Sequence, residues 1–210
     1  MKAGTKRRSI LLVYTAILGA LSIVLSTIRV SFPLGNPNLG STPVSIASVT
    51  TPGVVAFAVG IIKGLGVSLW TGQALLEFPA GIGDGLMALF TLWLSKRINA
   101  VVAVVVGQIS RYLFTSGMIA LVLGTAVSVD LSLPGASLLF SKITSAAPWF
   151  SPAGLPPLLS NIATVWVAMI PAITASIVAN AVLSGAVVAA LKKFYPNILD
   201  SINSRRMPGV

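Results

Sequence analysis

The chain has 210 residues, of which 55% are hydrophobic and only 9% are charged. This composition excludes an ordinary soluble domain and predicts an integral membrane protein. The absence of cysteine and histidine excludes a disulfide scaffold, thiol catalysis and imidazole-based metal chemistry. The net charge of +10 indicates membrane topology rather than nucleic-acid binding, because the basic residues cluster at the ends of apolar segments.

The first apolar segment, residues 10–28, is long enough to cross a bilayer, since it forms a helix of roughly 28 Å at about 1.5 Å per residue. Basic residues precede it, as in a signal peptide, but no cleavage site follows, so we expect it to be retained as a span. Ala16 and Ala20 place small side chains on one stripe of this helix. That stripe favours either docking of a partner helix or packing inside the bundle.

The next apolar stretch predicts two segments, residues 43–62 and 65–78. Residues 42–78 as one helix would span roughly 55 Å, about twice the thickness of the hydrocarbon core, so we place a hairpin at Lys63, where glycines follow. Pro52 and Gly53 interrupt the first of the two segments. Interrupted membrane helices are typical of the walls of cavities.

The remaining spans are predicted at residues 82–95, 98–127 and 158–191, followed by a basic tail over residues 194–210. The sequence thus predicts an all-α fold, an integral membrane bundle of six transmembrane helices within residues 1–193, in the cell membrane. With both termini in the cytoplasm, eleven of the fourteen basic residues lie on the cytoplasmic side, as the positive-inside rule requires. Residues 77–84 and the loops after the first and fifth spans then lie on the outer face.

Three charged residues in or beside apolar spans are candidates for a functional site. A charge at the centre of a membrane helix costs about 2.5 to 3.5 kcal/mol on insertion scales, so Glu77, Asp84 and Arg111 need a partner or a use. Glu77 or Asp84 is the expected counter-ion of Arg111. An ion pair between helices and contact with a polar or anionic substrate both remain open, as do helix capping by Asp84 and snorkelling of Arg111.

Two amides and two aromatic side chains complete the candidate site. Gln73 and Gln108 can either bind a polar ligand or connect helices. Trp70 and Trp149 can either stack on a flat heterocycle or lie in the interfacial aromatic belt. The sequence shows no catalytic constellation and no phosphate-binding loop, so we predict neither an enzyme nor an autonomous ATP-driven pump, and no cofactor or metal site.

With these residues in view, the chain resembles the substrate-binding S components of energy-coupling factor (ECF) transporters. The resemblance covers most of the chain and rests on its size, six predicted spans and topology. It also rests on the Ala16–Ala20 motif, the long first outer loop, the glycine-punctuated stretch 54–69 and the Phe78–Pro79 turn.

The resemblance implies a function and partners. A vitamin or related small molecule is bound from outside and delivered with a membrane coupling subunit and two cytoplasmic ATPases. Ala16 and Ala20 would form the docking face, while Glu77, Asp84, Arg111 and Trp149 would belong to the ligand cavity.

Single sequence features indicate a branch within this family, and two other functions remain as alternatives to the family itself. Residues 76–79 resemble the branch associated with thiamine precursors, and the absence of histidine excludes the cobalt and nickel branch. A stand-alone secondary transporter or small channel, with Asp84 and Arg111 in a proton or ion path, is the first alternative. A purely structural membrane subunit is the second.

Overall fold

The computed structural model describes residues 3–32, 35–128, 141, 143–145 and 147–195, and these residues form helices without a named strand. The predicted all-α class is therefore confirmed. The predicted tail beyond residue 195 and most of the connection before residue 147 lie outside the described residues. The helices are α1 (Ala3–Ser26), α2 (Ser41–Thr50), α3 (Gly53–Thr71), α4 (Ala74–Ser95), α5 (Ala100–Ile109), α6 (Phe114–Ser128) and α7 (Pro157–Phe194).

Five stretches of the described chain are long and apolar enough to cross a membrane, which identifies a multi-pass membrane protein. They are Ser9–Ser26 in α1, all of α3, all of α4, Ala100–Ser128 in α5 and α6, and all of α7. Helix α2 has 10 residues, and about 15 Å of helix is too short to cross alone.

The predicted hairpin at Lys63 is wrong, because α3 continues through that residue to Thr71. The chain turns instead at Thr51, which is extended at φ −137° and ψ 165°, because proline at position 52 disfavours helix in the residue before it. The next turn is at Gly72, whose φ of 70° is readily adopted by glycine. The predicted spans 43–62, 65–78 and 82–95 are thus replaced by α2, α3 and α4.

The glycines that indicated a turn after Lys63 serve helix packing. A Cβ at Gly64 would lie 2.8 Å from the Cα of Gly81 on α4, and one at Gly66 would lie 2.2 Å from Cδ1 of Ile23 on α1. The absence of a side chain at these two positions lets α3 approach both neighbours closely.

The predicted turn at Phe78–Pro79 is also wrong, since Pro79 lies inside α4. Proline removes one helical hydrogen bond, here the one to the carbonyl of Leu75 in the first turns of the helix. Membrane helices tolerate such a loss where neighbouring helices support the backbone, and α3 packs along this part of α4.

Close contacts between neighbouring helices show which of them are parallel and which are antiparallel. Helices α1 and α3 are parallel, α3 and α4 are antiparallel, α4 is antiparallel to α5 and α6, and these two are antiparallel to α7. The contacts are Gly19 with Ile62, Gly66 with Ile23, Gly53 with Leu92, Gly64 with Gly81, Gly107 with Thr91, Gly83 with Thr115, Gly124 with Ile162 and Gly185 with Val105. The start of α1, the α4–α5 connection and the end of α7 therefore lie at one end of the bundle, and the α3–α4 turn lies at the other.

Helix α1 lies at the periphery of the bundle. Only 17% of its spanning stretch is buried, against 39% to 56% for the other four stretches. Gly19 and Ser22 face the bundle, whereas Ala16 and Ala20 are exposed. The small-residue stripe therefore points away from the rest of the protein.

Candidate functional site

Asp84 is fully buried in the middle of α4 and is held by four side chains. Its Oδ1 accepts hydrogen bonds from Nε of Arg111 (3.0 Å) and Oγ1 of Thr115 (2.7 Å). Its Oδ2 accepts one from Oγ of Ser41 (2.6 Å) and forms an ion pair with Nζ of Lys63. We call Lys63, Asp84 and Arg111 the ion cluster. It places two cations around one carboxylate inside an apolar bundle.

Helix packing and a helix break bring the ion cluster together. Lys63 precedes Gly64, where α3 and α4 approach at backbone distance, so its side chain lies against α4. Arg111 lies in a 3₁₀ turn, Ser110–Tyr112, between α5 and α6. Such breaks within membrane-spanning helices are typical of functional sites.

Gln108 and Ser176 fix the guanidinium of Arg111 from the side away from Asp84. Nη1 of Arg111 donates to Oγ of Ser176 at 2.8 Å and to Oε1 of Gln108 at 3.4 Å. Nε2 of Gln108 donates in turn to Oγ of Ser45 on α2 at 2.6 Å. Helices α2, α5 and α7 thus share one network of hydrogen bonds with the ion cluster.

The segment before α2 is held against the same region. Nδ2 of Asn180 on α7 donates to the carbonyl oxygen of Asn38 at 2.6 Å, and Oδ1 of Asn180 accepts from Oγ1 of Thr42 at 2.9 Å. On the α1 side, the hydroxyl of Ser22 donates to the carbonyl of Gly40. Asn38 and Gly40, directly before the start of α2, are therefore held against α7 and α1.

A cavity of about 50 Å³ lies beside the ion cluster and below residues 35–38. One water molecule needs about 10 to 15 Å³ of such a cavity, so several water-sized groups fit. Leu76, Met169 and Ile173 contribute apolar wall. The polar side chains that line it are Asn36, Asn38, Lys63, Gln73, Glu77, Arg111, Thr115 and Ser176. A cavity that combines apolar wall with convergent polar groups suits reversible binding of a small polar molecule.

The structure divides the predicted site residues into two groups. Gln73, Glu77 and Arg111 line the cavity. Asp84 and Gln108 are completely buried behind it and position Arg111. Arg111 pairs with Asp84, one of its two expected counter-ions, and makes no ion pair with Glu77.

The two predicted tryptophans do not line this cavity. Trp70 is half exposed at the end of α3, and the guanidinium of Arg29 lies 4.6 Å from its ring centroid. Trp149 is 73% exposed and packs edge-on against Phe150 at 6.1 Å. Both positions fit the interfacial interpretation of these residues.

Sequence reasoning missed Lys63, Ser176 and Asn180. Lys63 was placed in a turn because glycines follow it, although residues 53–71 form a continuous apolar stretch of helical length that could have indicated a buried lysine. Asn180 is an amide in the interior of a long, mostly apolar helix, which is itself a signal for a polar contact inside the membrane.

Within the described ranges, no group of three or more acidic, histidine or cysteine side chains could hold a metal ion. Comparison of the chain with protein-family models, with curated proteins and with solved structures finds no match.

Proposed function

We propose that the chain is the substrate-binding S component of an ECF-type importer. It captures a vitamin or related small molecule from outside the cell and delivers it together with a membrane coupling subunit and two cytoplasmic ATPases. The observation that supports this proposal best is the cavity, which combines apolar wall with charged side chains inside a membrane bundle.

In this proposal the chain crosses the plasma membrane six times, and the second crossing consists of residues 35–40 together with the short helix α2. Basic residues at positions 6–8, 96–97 and 192–193 lie at one end of the bundle, which we assign to the cytoplasm. Arg29 lies at the opposite end, beside Trp70. Lys63 was included in the predicted cytoplasmic set, but it is buried between the two ends of the bundle, as is Arg111, so neither residue supports this orientation. The cavity, which Gln73 lines near the α3–α4 turn, then belongs to the outer half.

The exposed face of α1 is the proposed docking surface for the coupling subunit. Ala16 and Ala20 are exposed there, and small side chains let a partner helix approach closely. The peripheral position of α1 leaves room for such a partner.

Bulky side chains on this face test the docking surface. We expect Ala16→Leu with Ala20→Leu to abolish co-purification with the coupling subunit and the ATPases. Ala186→Leu with Ala190→Leu provides a matched control, because these alanines have the same spacing and are exposed on α7. Equal assembly of both double variants would contradict the docking role of α1.

Transport itself is tested in proteoliposomes. The solute that co-purifies with the chain, identified by mass spectrometry, serves as the labelled probe. We expect its uptake to require ATP, the coupling subunit and the ATPases. Uptake by this chain alone, driven by an ion gradient, would contradict the proposal and support a stand-alone secondary transporter.

A further inference from the structure

Glu77 contributes a carboxylate to the cavity that no protein group neutralises by direct contact. It lines the cavity on α4 and is partly buried. Within the described part of the chain it makes no hydrogen bond and no ion pair, since the two ion pairs found there both involve Asp84. Among the described residues, no completely buried side-chain nitrogen or oxygen lacks a hydrogen-bond partner, so the unpartnered carboxylate oxygens of Glu77 are not completely buried. A ligand group can therefore bind to them directly.

Arg111 presents an opposite charge to the same cavity. Its Nε and Nη1 are engaged by Asp84, Gln108 and Ser176, whereas Nη2 makes no hydrogen bond among the described residues. Arg111 is almost completely buried and lines the cavity, and buried polar atoms here all have partners, so Nη2 lies at the cavity surface. It can donate to an anionic group of a ligand.

The charges around the cavity sum to zero. Lys63 and Arg111 carry two positive charges, and Asp84 compensates one of them. Glu77 lines the same cavity and balances the other without forming an ion pair in the described structure. Adding a net charge to such a buried site is costly, because the surroundings solvate it poorly.

We infer that the cavity binds a small zwitterion of the amino-acid type, with its cationic group at Glu77 and its anionic group at Nη2 of Arg111. The inference rests on the proposed function and names the substrate class of the same site. A zwitterion satisfies both unengaged charged groups and leaves the site neutral. A simple carboxylate or a simple amine satisfies only one of them.

Matched probes test this inference on the purified protein in detergent. The zwitterions are glycine, β-alanine and γ-aminobutyrate, which scan the separation of the charges. Each is compared by calorimetry with the carboxylate and the amine of equal length, for example butyrate and propylamine. A hydrogen bond to a charged group contributes about 1.5 to 3 kcal/mol, so at least one zwitterion should bind roughly ten- to a hundredfold more tightly than both its analogues.

The variant Glu77→Gln changes the charge of the site without changing its shape. We expect it to weaken binding of the best zwitterion and to shift the preference toward the carboxylate of equal length. Trp149→Phe is the control, since that residue lies outside the cavity, and it should leave the preference unchanged. Failure of every zwitterion to bind better than its analogues would overturn the inference. So would an unchanged preference in Glu77→Gln.

Two further outcomes separate this inference from the proposed function. Uptake of a singly charged solute that depends on the ATPases would overturn the zwitterion and leave the transport proposal intact. Binding of a zwitterion without any partner-dependent uptake would support the zwitterion site and contradict the transport proposal.

Phosphatidylethanolamine headgroups carry the same two charges as such a zwitterion. If nanodiscs of that lipid, but not of phosphatidylglycerol, displace the probe, a lipid occupies the site and a soluble substrate is contradicted.

Discussion

Asp84 forms ion pairs with two cations inside the bundle, Lys63 and Arg111. Its partners lie on α3, on the 3₁₀ turn after α5, on α6 and at the start of α2, so the carboxylate joins most of the elements that surround the cavity. Removing one partner of a buried ion pair leaves an uncompensated charge, which is the costly case.

Replacing Asp84 and replacing Glu77, the two carboxylates of α4, should therefore have unequal effects on the stability of the protein. We expect Asp84→Asn to destabilise the protein by about 3 to 5 kcal/mol, because Lys63 and Arg111 lose their counter-ion. The matched change Glu77→Gln should cost clearly less, about 1 kcal/mol, since Glu77 balances the remaining positive charge without a direct ion pair in the described structure. Thermal unfolding of both variants in the same detergent measures the difference. Equal losses would contradict the assigned roles.

At the residue level, the sequence predicted that Arg111 needs a carboxylate but left two candidates. The choice depends on which residue of α4 faces the helix break at Ser110–Tyr112, and that requires the packing of α4 against α6. Lys63 could not be assigned to the cluster, because its position in a hairpin or within a helix decides whether it reaches water or Asp84.

The close packing of α3 on α4 at Gly64 brings the side chain of Lys63 within reach of Asp84. A Cβ at Gly64 would lie 2.8 Å from the Cα of Gly81, so Gly64→Ala should separate α3 from α4 and cost about 1 to 3 kcal/mol. Gly117→Ala in α6 is the control, because no atom lies within 4 Å of its added Cβ. It should be neutral or stabilise by about 0.4 to 1 kcal/mol. A Gly64→Ala protein as stable as Gly117→Ala would contradict this packing.

Asn180 should determine how firmly residues 35–40 are held. Asn180→Ala leaves the carbonyl of Asn38 and the hydroxyl of Thr42 without their amide partner, at a cost of about 1 to 3 kcal/mol for each unsatisfied group. We expect faster hydrogen exchange in residues 36–42. Asn161→Ala, at a more exposed amide of the same helix, should leave that exchange unchanged. Unchanged exchange in Asn180→Ala would show that other contacts hold the segment.

The longest hydrophobic segments were predicted well even where they contain proline, as α7 does at Pro171, whereas Gly64, Gly66 and Pro79 were misinterpreted. The segments 10–28, 98–127 and 158–191 correspond to spanning stretches in α1, α5–α6 and α7. Between them, Gly64 and Gly66 were taken as a turn and Pro79 as a helix end. In this bundle glycine serves close helix contact and proline lies within a helix, and only the tertiary packing distinguishes these uses.

On the scale of the whole molecule, the cavity lies toward the α3–α4 turn and the basic residues at positions 96–97 and 192–193 lie at the other end, so the proposed orientation makes the cavity face outward. Composition alone predicted the membrane and the helical class. The family resemblance predicted Glu77 and Arg111 in a cavity, but the full lining could not be predicted, because it arises where residues 35–38, α3, α4, α6 and α7 meet, and these are far apart in the chain.

Cysteine accessibility in cells tests that placement most directly, because the natural chain contains no cysteine. Gln73→Cys at the cavity and Arg97→Cys at the α4–α5 connection are each treated with a membrane-impermeant maleimide. We expect Gln73→Cys to react in intact cells and to be protected by the co-purified solute, whereas Arg97→Cys should react only after permeabilisation. Reaction of Arg97→Cys in intact cells, with Gln73→Cys inaccessible, would contradict capture of a solute from outside.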